Sequence, residues 1–182
     1  NGRVYLIARL PAFRDSSYAL ANQSCGLPLD NGALWMDSDS CYWLDPANQQ
    51  VLSYLQSILS ELAGLGFEEV VLSDFTFPTS QNIAYDGDRV AAVLDAAHRL
   101  SSNQTESSPA LSLATTDPAL AAYADRVYLT SSDGSQVQAL VDTFSDVYDT
   151  LHDRVVFLTD SRDTRFSDYG VLRSAVTADS EE

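Results

Sequence analysis

Short apolar segments rich in Val, Leu, Ile and Phe alternate along this 182-residue chain with segments of helical spacing. Apolar runs of about four to eight residues predict buried strands when turn-forming or polar residues follow them. The predicted strands are Val4–Leu10, Val70–Phe75, Leu111–Thr115, Arg126–Ser131 and Arg154–Thr159, with a sixth over Tyr169–Val176. Strands that alternate with helices indicate parallel β-α units, in which helices cover the sheet.

The segments between these strands predict helices and one long loop. The strongest helix follows Asp45-Pro46, a typical N-cap and first-turn pair, and carries an apolar stripe at helical spacing over residues 51–62. Further helices are predicted over Arg89–Leu100, after Asp117-Pro118 and over Gln136–His152. The roughly 35 residues from the first strand to Tyr42 are rich in Asn, Asp, Ser and Gly, which is typical of a functional or covering loop.

The number of predicted strands limits the architecture. An eight-stranded (β/α)-barrel typically takes about 250 residues, whereas this chain offers five or six strands in 182 residues. We therefore predict an α/β fold of the (β/α)-barrel, TIM-like type that is incomplete, with an open sheet as the alternative. The predicted boundaries are one partial barrel domain over residues 1–176 and an acidic, disordered tail over residues 177–182.

The charge of the chain excludes several classes of partner. With 10 Arg, no Lys and 26 Asp and Glu, the formal net charge is −16, which argues against binding to nucleic acids or to an anionic membrane surface. No run reaches about 18 apolar residues, so no membrane span is predicted. The sequence has two histidines, no Cys-x-x-Cys and no glycine-rich phosphate loop, so neither a metal nor a cofactor is predicted.

Four motifs occur in a fixed order in the first part of the chain. They are Ile7-Ala8-Arg9, Phe13-Arg14-Asp15, Trp43-Leu44-Asp45-Pro46 and the run from Gly66-Phe67 to Phe77-Pro78, with Trp35 between the second and third. In their order, spacing and endings, over Tyr5–Pro78, the chain resembles the putative glycosyl hydrolase domain family of bacterial proteins. The resemblance implies a (β/α)-barrel of α-amylase-like outline and carbohydrate as the partner.

The resemblance also carries two expectations about what differs here. In the family, the first strand of this chain is about the third of the barrel and the Gly-Phe strand is the fourth, which implies two strands before Asn1. At the end of the Gly-Phe strand, the family's carboxylate falls on Ser73 and its arginine on Thr76. Ser73 cannot act as a carboxylate nucleophile. The neighbouring Asp74 would point to the opposite side of a regular strand unless the strand end bends or bulges.

Glycoside hydrolysis ordinarily needs two carboxyl groups that flank the scissile bond, and one of them must hold a proton. The catalytic candidates at predicted strand ends are Asp74 and Asp160. The structural alternative for Asp74 is capping of backbone amides, and for Asp160 it is a turn or an ion pair with Arg162. The candidates for substrate binding are Arg9, Asp15, Trp35 and Ser73. Arg9 lies in an apolar strand, so it either contacts substrate or forms a buried ion pair. Trp35 either stacks on a sugar ring or packs within its loop.

Two interpretations of function stay open. One is an enzyme that acts on glycosidic bonds, and the other is a non-catalytic carbohydrate-binding or structural domain, which Ser73 and Thr76 favour. Cys25 and Cys41 are either a disulfide or two unrelated thiols. Together with the resemblance, such a disulfide would fit a secreted or cell-surface bacterial protein. An incomplete barrel exposes sheet edges, which predicts self-association.

Overall fold

A computed structural model describes residues 4–174 of the chain. The predicted tail over residues 177–182 and the last two residues of the predicted sixth strand lie outside the described residues. The chain forms two compact units, of which the first ends at Ala114 and the second begins at Thr115.

The first unit contains three parallel strands with helices between them. The strands are β1 (Ile7–Pro11), β2 (Glu69–Ser73) and β3 (Ala110–Leu113). The helices are α1 (Ser16–Ala21), α2 (Gln49–Gly64) and α3 (Arg89–Ser102). Strand β2 is central and pairs in parallel with both β1 and β3. Because the strands are parallel, their carboxyl ends and the loops that follow them lie at the same edge of the sheet.

Strand β2 is buried on both of its faces, since residues 69–72 are at most 1% exposed. Side chains alternate between the faces of a strand, so Glu69, Val71 and Ser73 share one face. The Glu69 carboxylate is an exception in this apolar strand, and it accepts a 2.5 Å hydrogen bond from Ser112 Oγ of β3. A buried carboxylate needs such partners because it has lost its hydration.

Helix α2 begins three residues later than the sequence predicts. Its N-cap is Asn48, whose side-chain oxygen accepts a 2.8 Å hydrogen bond from the Gln50 N–H. The predicted cap, Asp45, instead accepts a 2.9 Å hydrogen bond from the Ala47 N–H in a turn ahead of the helix. Asn and Asp are equally good N-caps. Because Asp45 forms a turn ahead of the helix, Asn48 is the N-cap and the helix begins at Gln49.

The second unit also contains three parallel strands. They are β4 (Val127–Thr130), β5 (Val155–Leu158) and β6 (Gly170–Leu172), with β5 central. Its helices are α4 (Pro118–Ala121), capped by Asp117 as predicted, and α5 (Val137–Asp142). The core consists of buried side chains from these elements and the turns between them: Ala121, Val127, Leu129, Val137, Val141, Phe144, Val155, Phe157 and Phe166.

The predicted helix over Gln136–His152 is wrong beyond Asp142, where α5 ends and a series of turns begins. The apolar residues after Asp142 still pack against the core of the second unit, so their spacing predicts burial correctly. The Tyr148 hydroxyl donates hydrogen bonds to the carbonyl oxygens of Ala121 and Ala124, at 2.9 and 3.2 Å. These tertiary contacts of the turn segment outweigh its local helix propensity.

The architecture is therefore an α/β fold of the (β/α)-barrel type with six parallel strands, three in each unit, which confirms the predicted incomplete barrel. Among the described strands, β1 has β2 as its one neighbour, and Val4, Tyr5 and Leu6 just before it are 42–72% exposed. Self-association through such an edge stays a prediction. Within residues 4–174, no helix combines the length and the apolar character needed to cross a bilayer.

Candidate functional site

The long loop between β1 and α2 is a folded structure. It contains α1, a 3-10 turn at Gln23–Cys25 and three isolated antiparallel bridges: Gly26–Leu44, Pro28–Leu34 and Met36–Tyr42. A further bridge between Leu29 and Ile83 joins it to the loop between β2 and α3. Both loops follow the carboxyl ends of their strands, so together they form the rim of the first unit where binding sites of parallel α/β folds lie.

Asp37 holds the tip of the first rim loop together. Its Oδ2 accepts hydrogen bonds from Arg14 Nε and from Trp43 Nε1, both at 2.8 Å. Its Oδ1 accepts hydrogen bonds from the N–H groups of Asp39 and Cys41, both at 2.9 Å. The Arg14 guanidinium, and after it the Trp43 indole, hold the pKa of this carboxyl well below its ordinary value. Asp37 is therefore ionised at neutral pH and fixes the orientation of the Trp43 ring.

A groove of about 460 Å³ lies between the two rim loops. It is lined by residues from the first rim loop and from the segment after β2: Trp35, Asp37, Ser38, Trp43, Thr76, Phe77, Pro78, Thr79 and Ser80. Trp35 is half-buried, whereas Trp43 is only 8% exposed. Aromatic rings beside hydroxyl groups suit a ligand that has an apolar face and a hydroxylated edge.

Arg89, the first residue of α3, holds the second rim loop in place. Its guanidinium donates hydrogen bonds to the carbonyl oxygens of Pro78, Ser80 and Ile83, at 3.2, 2.7 and 3.1 Å. The same guanidinium lies 5.1 Å from the centre of the Phe77 ring, within cation–π distance. This side chain and the Leu29–Ile83 bridge together fix the loop, so its wall of the groove is formed before any ligand binds.

The backbone leaves the strand conformation directly after β2, at Asp74, as the sequence analysis requires if Asp74 is to change face. Asp74 has a φ of 50°, in the left-handed region that few residues other than glycine adopt and that Asp tolerates. Ser73 Oγ donates a 3.1 Å hydrogen bond to Asp74 Oδ2, so the two adjacent side chains lie together. Both residues are half-buried. Strained backbone of this kind at a strand end is typical of functional positions.

The structure places two other predicted binding residues in different settings. Arg9 of β1 is exposed, so it is not the buried ion pair considered from the sequence. Asp15 caps helix α1 through a 2.9 Å hydrogen bond from the Tyr18 N–H, and its Oδ2 accepts a 2.8 Å bond from the Tyr54 hydroxyl. The Tyr18 and Tyr54 rings stack with centroids 3.7 Å apart. The carboxylate of Asp15 therefore ties the first rim loop to α2.

Asp160 belongs to the second unit and follows β5 by two residues. Its Oδ1 accepts a 2.8 Å hydrogen bond from the Ser174 N–H and its Oδ2 a 2.9 Å bond from Ser174 Oγ. These bonds lower the pKa of the Asp160 carboxyl, because both stabilise its ionised form. A catalytic role for Asp160 stays a prediction, and its bonds to Ser174 favour a structural role.

Sequence reasoning missed Asp37 and Asp45 as residues of the rim. Asp45 is half-buried, and desolvation raises the pKa of its carboxyl, although the Ala47 N–H acts in the opposite direction. The signal for Asp45 was present in the Trp-Leu-Asp-Pro motif, which predicts a helix cap equally well. Asp37 has a weaker signal, because an acidic residue in a loop rich in Asp and Ser does not reveal that Arg14 and Trp43 converge on it.

Two further sequence questions concern thiols and metals. Cys25 is buried and Cys41 half-buried, and both are free thiols in the structure. The secreted or cell-surface location predicted for the chain consequently gains no support from a disulfide and stays a prediction. Among residues 4–174, no three His, Cys, Asp or Glu side chains are grouped as metal ligands would be.

The fold and the rim groove together define a (β/α)-barrel-type domain with an aromatic and acidic site at the carboxyl ends of its strands. Within that class, the chain belongs to the putative glycosyl hydrolase domain family, whose model matches residues 1–99 of the 182 and so covers more than half of it. The resemblance seen in the sequence motifs is thereby confirmed. No curated protein matches the chain.

Solved structures show the same fold at low sequence identity. A GH36 α-galactosidase, AgaA from Geobacillus stearothermophilus, in complex with stachyose, is 14% identical with a TM-score of 0.68 over 96% of this chain and 28% of its own. Aspergillus fumigatus Ega3 in complex with galactosamine is 11% identical, with a TM-score of 0.64 over 93% of this chain and 74% of its own.

A hypothetical protein from Ruminiclostridium thermocellum is 22% identical, with a TM-score of 0.55 over 60% of this chain. This chain spans 58% of the length of that protein. At these identities the likeness establishes the fold, and function has to be argued from the site.

Proposed function

We propose that this domain binds carbohydrate in the rim groove of the first unit, and that Asp74, two residues before the groove-lining segment 76–80, is the reacting carboxylate of a glycoside hydrolase. The observation that carries the proposal is the groove itself, in which Trp35 and Trp43 face a loop of hydroxylated residues at the carboxyl ends of β1 and β2. The apolar face of a sugar ring packs on an aromatic ring, while its hydroxyl groups bond to polar side chains and to backbone.

The comparisons support the carbohydrate part of the proposal. The family is described as a glycosyl hydrolase domain, and the similar structures include an α-galactosidase with bound stachyose and Ega3 with bound galactosamine. These proteins share the barrel-type fold, in which sites lie on the loops after the strands. The groove of this chain occupies that position.

Asp74 suits chemistry better than Asp37 and Asp15 of the same unit, because those two carboxylates have structural partners. Asp37 is bonded to Arg14 and Trp43, and Asp15 to a helix end and a tyrosine hydroxyl. Asp74 accepts one hydrogen bond from the adjacent Ser73, which leaves lone pairs of a carboxylate available to a ligand. In a retaining or inverting reaction a second carboxyl group must complete the pair, the role the sequence predicts for Asp160.

A second candidate function is carbohydrate binding without hydrolysis. It is favoured by Ser73 and Thr76, which stand where the family pattern has a carboxylate and an arginine. In that case the groove and its tryptophans would keep their role, whereas Asp74 would only bind a sugar hydroxyl. The two candidates differ in whether sugar is released, and they agree on where it binds.

Both candidates predict that Trp35→Ala weakens binding of oligosaccharides by about tenfold, which is about 1.4 kcal/mol. The reason is that loss of the half-buried indole removes the apolar surface on which a sugar ring packs. Binding is measured by calorimetry against a panel of neutral and amino-sugar oligosaccharides, and released reducing ends are measured in parallel. The matched control is Met36→Ala, which removes the neighbouring side chain, 46% exposed, and should leave affinity unchanged.

The outcomes separate the candidates. Saturable binding with release of reducing ends, both reduced in the Trp35 variant, supports hydrolysis at the rim. Saturable binding without release supports the second candidate. Binding that is equal in the wild type and in the Trp35→Ala variant would reject the groove as the site.

A further inference from the structure

The rim groove has a negative charge and no positive charge among the lining side chains that the structure describes. Asp37 is the one lining residue with a charged side chain, and it is ionised at neutral pH because Arg14 and Trp43 donate hydrogen bonds to it. The other lining residues are aromatic, hydroxylated or proline. A groove of this composition offers no cationic partner to the carboxylate or sulfate group of an acidic sugar.

The two arginines of the rim loops are engaged in holding those loops. Arg14 bonds to carboxylates of the first loop, and Arg89 donates to three carbonyl oxygens of the second. Over residues 12–48 and 74–89, these two arginines stand against eight aspartates, which leaves a formal charge of −6. The electrostatic potential at the rim therefore favours a cationic ligand over a neutral or an anionic one.

Asp39, at the tip of the first rim loop, has a carboxylate that a ligand can reach. Its side chain is 76% exposed, and its Oδ2 accepts a 2.8 Å hydrogen bond from Arg14. Asp37, by contrast, accepts four hydrogen bonds through its two oxygens. Because Arg14 is one cation between two carboxylates, the tip keeps a charge of −1. That charge lies directly beside Ser38, which lines the groove.

Aromatic rings supply a second attraction for a cation. Trp35, Trp43 and Phe77 line the groove, and Trp35 is the most exposed of the three. An ammonium group over the face of an aromatic ring is attracted by the ring quadrupole, which gives about two- to fivefold in affinity at an exposed site. The same rings pack on the C–H face of a sugar, so a sugar that carries an ammonium group can use both interactions.

We propose that the rim groove is selective for amino sugars: it takes an oligosaccharide with protonated amino groups, one of which pairs with the carboxylate of Asp39. Asp39 is thus a specificity-determining residue of the site. This inference rests on the proposed function, because it names the class of sugar that the same groove binds. A neutral sugar keeps the ring contacts and lacks the ion pair, whereas a uronic acid is repelled.

The test is a calorimetric titration of the full chain with a glucosamine trimer and with its N-acetylated form, in mildly acidic buffer of low ionic strength. We expect the amine trimer to bind about tenfold more tightly, with an advantage that shrinks as salt is added. Asp39→Asn should weaken binding of the amine trimer about two- to fivefold and leave binding of the acetylated trimer unchanged. The reason is that Asn keeps an acceptor for Arg14 and loses the charge.

The matched control is Asp146→Asn, at an exposed aspartate of the second unit, which makes the same change in net charge and should alter neither affinity. An equal loss of affinity in Asp39→Asn and Asp146→Asn would indicate a general attraction of cations to an acidic chain and would overturn the inference. An affinity for the amine trimer that is the same in the wild type and in Trp35→Ala would place the binding outside the groove and would also overturn it.

The remaining outcomes separate this inference from the proposed function. Equal affinity for the two trimers, or tighter binding of the acetylated one, would overturn the selectivity and leave the groove as a site for neutral sugars. Absence of binding by both trimers would overturn the inference as well. The proposed function falls with it only if the neutral oligosaccharides of the panel also fail to bind.

Discussion

Strand β2 has a carboxylate near each end, and the two carboxylates lie in different environments. Glu69, its first residue, is fully buried and bonded at 2.5 Å to Ser112 of the neighbouring strand. Asp74, one residue past its end, is half-buried, has a φ of 50° and accepts a bond only from the adjacent Ser73 side chain among the described contacts. The same functional group is thus fixed at the amino end and available at the carboxyl end.

The difference follows from how parallel strands are connected. At the amino end, a charged side chain lies inside the sheet and must find a partner there, because its desolvation is otherwise unfavourable. At the carboxyl end, the chain leaves the sheet into a loop, where a residue at positive φ can turn its side chain to the rim. In folds of this type, residues at the amino ends serve stability and those at the carboxyl ends serve chemistry.

The largest expected effect is on turnover. Asp74→Asn should lower the rate of glycan hydrolysis by about 10²–10⁴-fold, since the amide cannot transfer a proton or act as a nucleophile. Asn also tolerates the left-handed region, so the backbone bend should survive and the melting temperature should stay near that of the wild type. Initial rates of reducing-end release provide the measurement.

The variant to compare with Asp74→Asn is Asp160→Asn, the same change after a strand of the second unit. If Asp160 acts structurally through Ser174, that variant keeps its turnover. Loss of turnover in both variants would identify Asp160 as the second carboxyl of the reaction. Full turnover in Asp74→Asn would show that the carboxylate at the carboxyl end of β2 has no catalytic role.

The next largest effect concerns stability. Ser112→Ala should lower the free energy of unfolding by about 1–3 kcal/mol, because it leaves a lone pair of the buried Glu69 carboxylate without its hydroxyl donor. Urea-induced unfolding followed by circular dichroism gives the value. The matched change is Ser53→Ala on the exposed side of α2, where an effect within about 0.5 kcal/mol is expected. Equal stability of the two variants would show that Glu69 does not depend on Ser112.

The sequence predicts the fold more completely than the site. Apolar runs such as 70–75 mark the strands, and the incomplete barrel follows from their number. The bend at Asp74 is a conditional prediction: periodicity places Asp74 on the face opposite to Ser73 unless the strand end bends, and the φ of 50° shows that the backbone leaves the strand conformation there. The helix predicted over Gln136–His152 is wrong beyond Asp142 because the spacing of apolar residues indicates burial, and turns can bury such residues as well as a helix can.

The rim residues were harder to predict because their roles depend on long-range contacts. Arg14, Asp37 and Trp43 are separated by up to 29 positions, yet one carboxylate oxygen joins them. Asp15 is the reverse case, since its motif favours binding while its contacts with α1 and Tyr54 are structural.

The next prediction concerns Asp37, a rim carboxylate whose two oxygens both accept hydrogen bonds. The bond from Arg14 lowers the pKa of Asp37 below the ordinary 3.8, so ionised Asp37 stabilises the folded state above about pH 4. That contribution is lost as the pH falls through the folded-state pKa. Asp37→Asn should therefore lower the melting temperature at pH 7, and the difference from the wild type should narrow as the pH falls from about 4 toward 2. A difference independent of pH would exclude the Arg14 ion pair as its cause.

The smallest effect is expected at Asp160, where the contrast with Asp74 is most direct. Asp160→Ala removes both acceptors of Ser174 at an exposed position, so the melting temperature should fall by a few degrees or less. Because those bonds lower the pKa of the Asp160 carboxyl, the effect should be present above pH 3.8 and fade in more acidic solution. Asp149→Ala, at an exposed aspartate of the same unit, should leave the melting temperature unchanged. If Asp160→Ala behaves like Asp149→Ala in stability and yet lowers turnover, the bonds to Ser174 are incidental, and Asp160 belongs with Asp74 as a residue that contacts substrate.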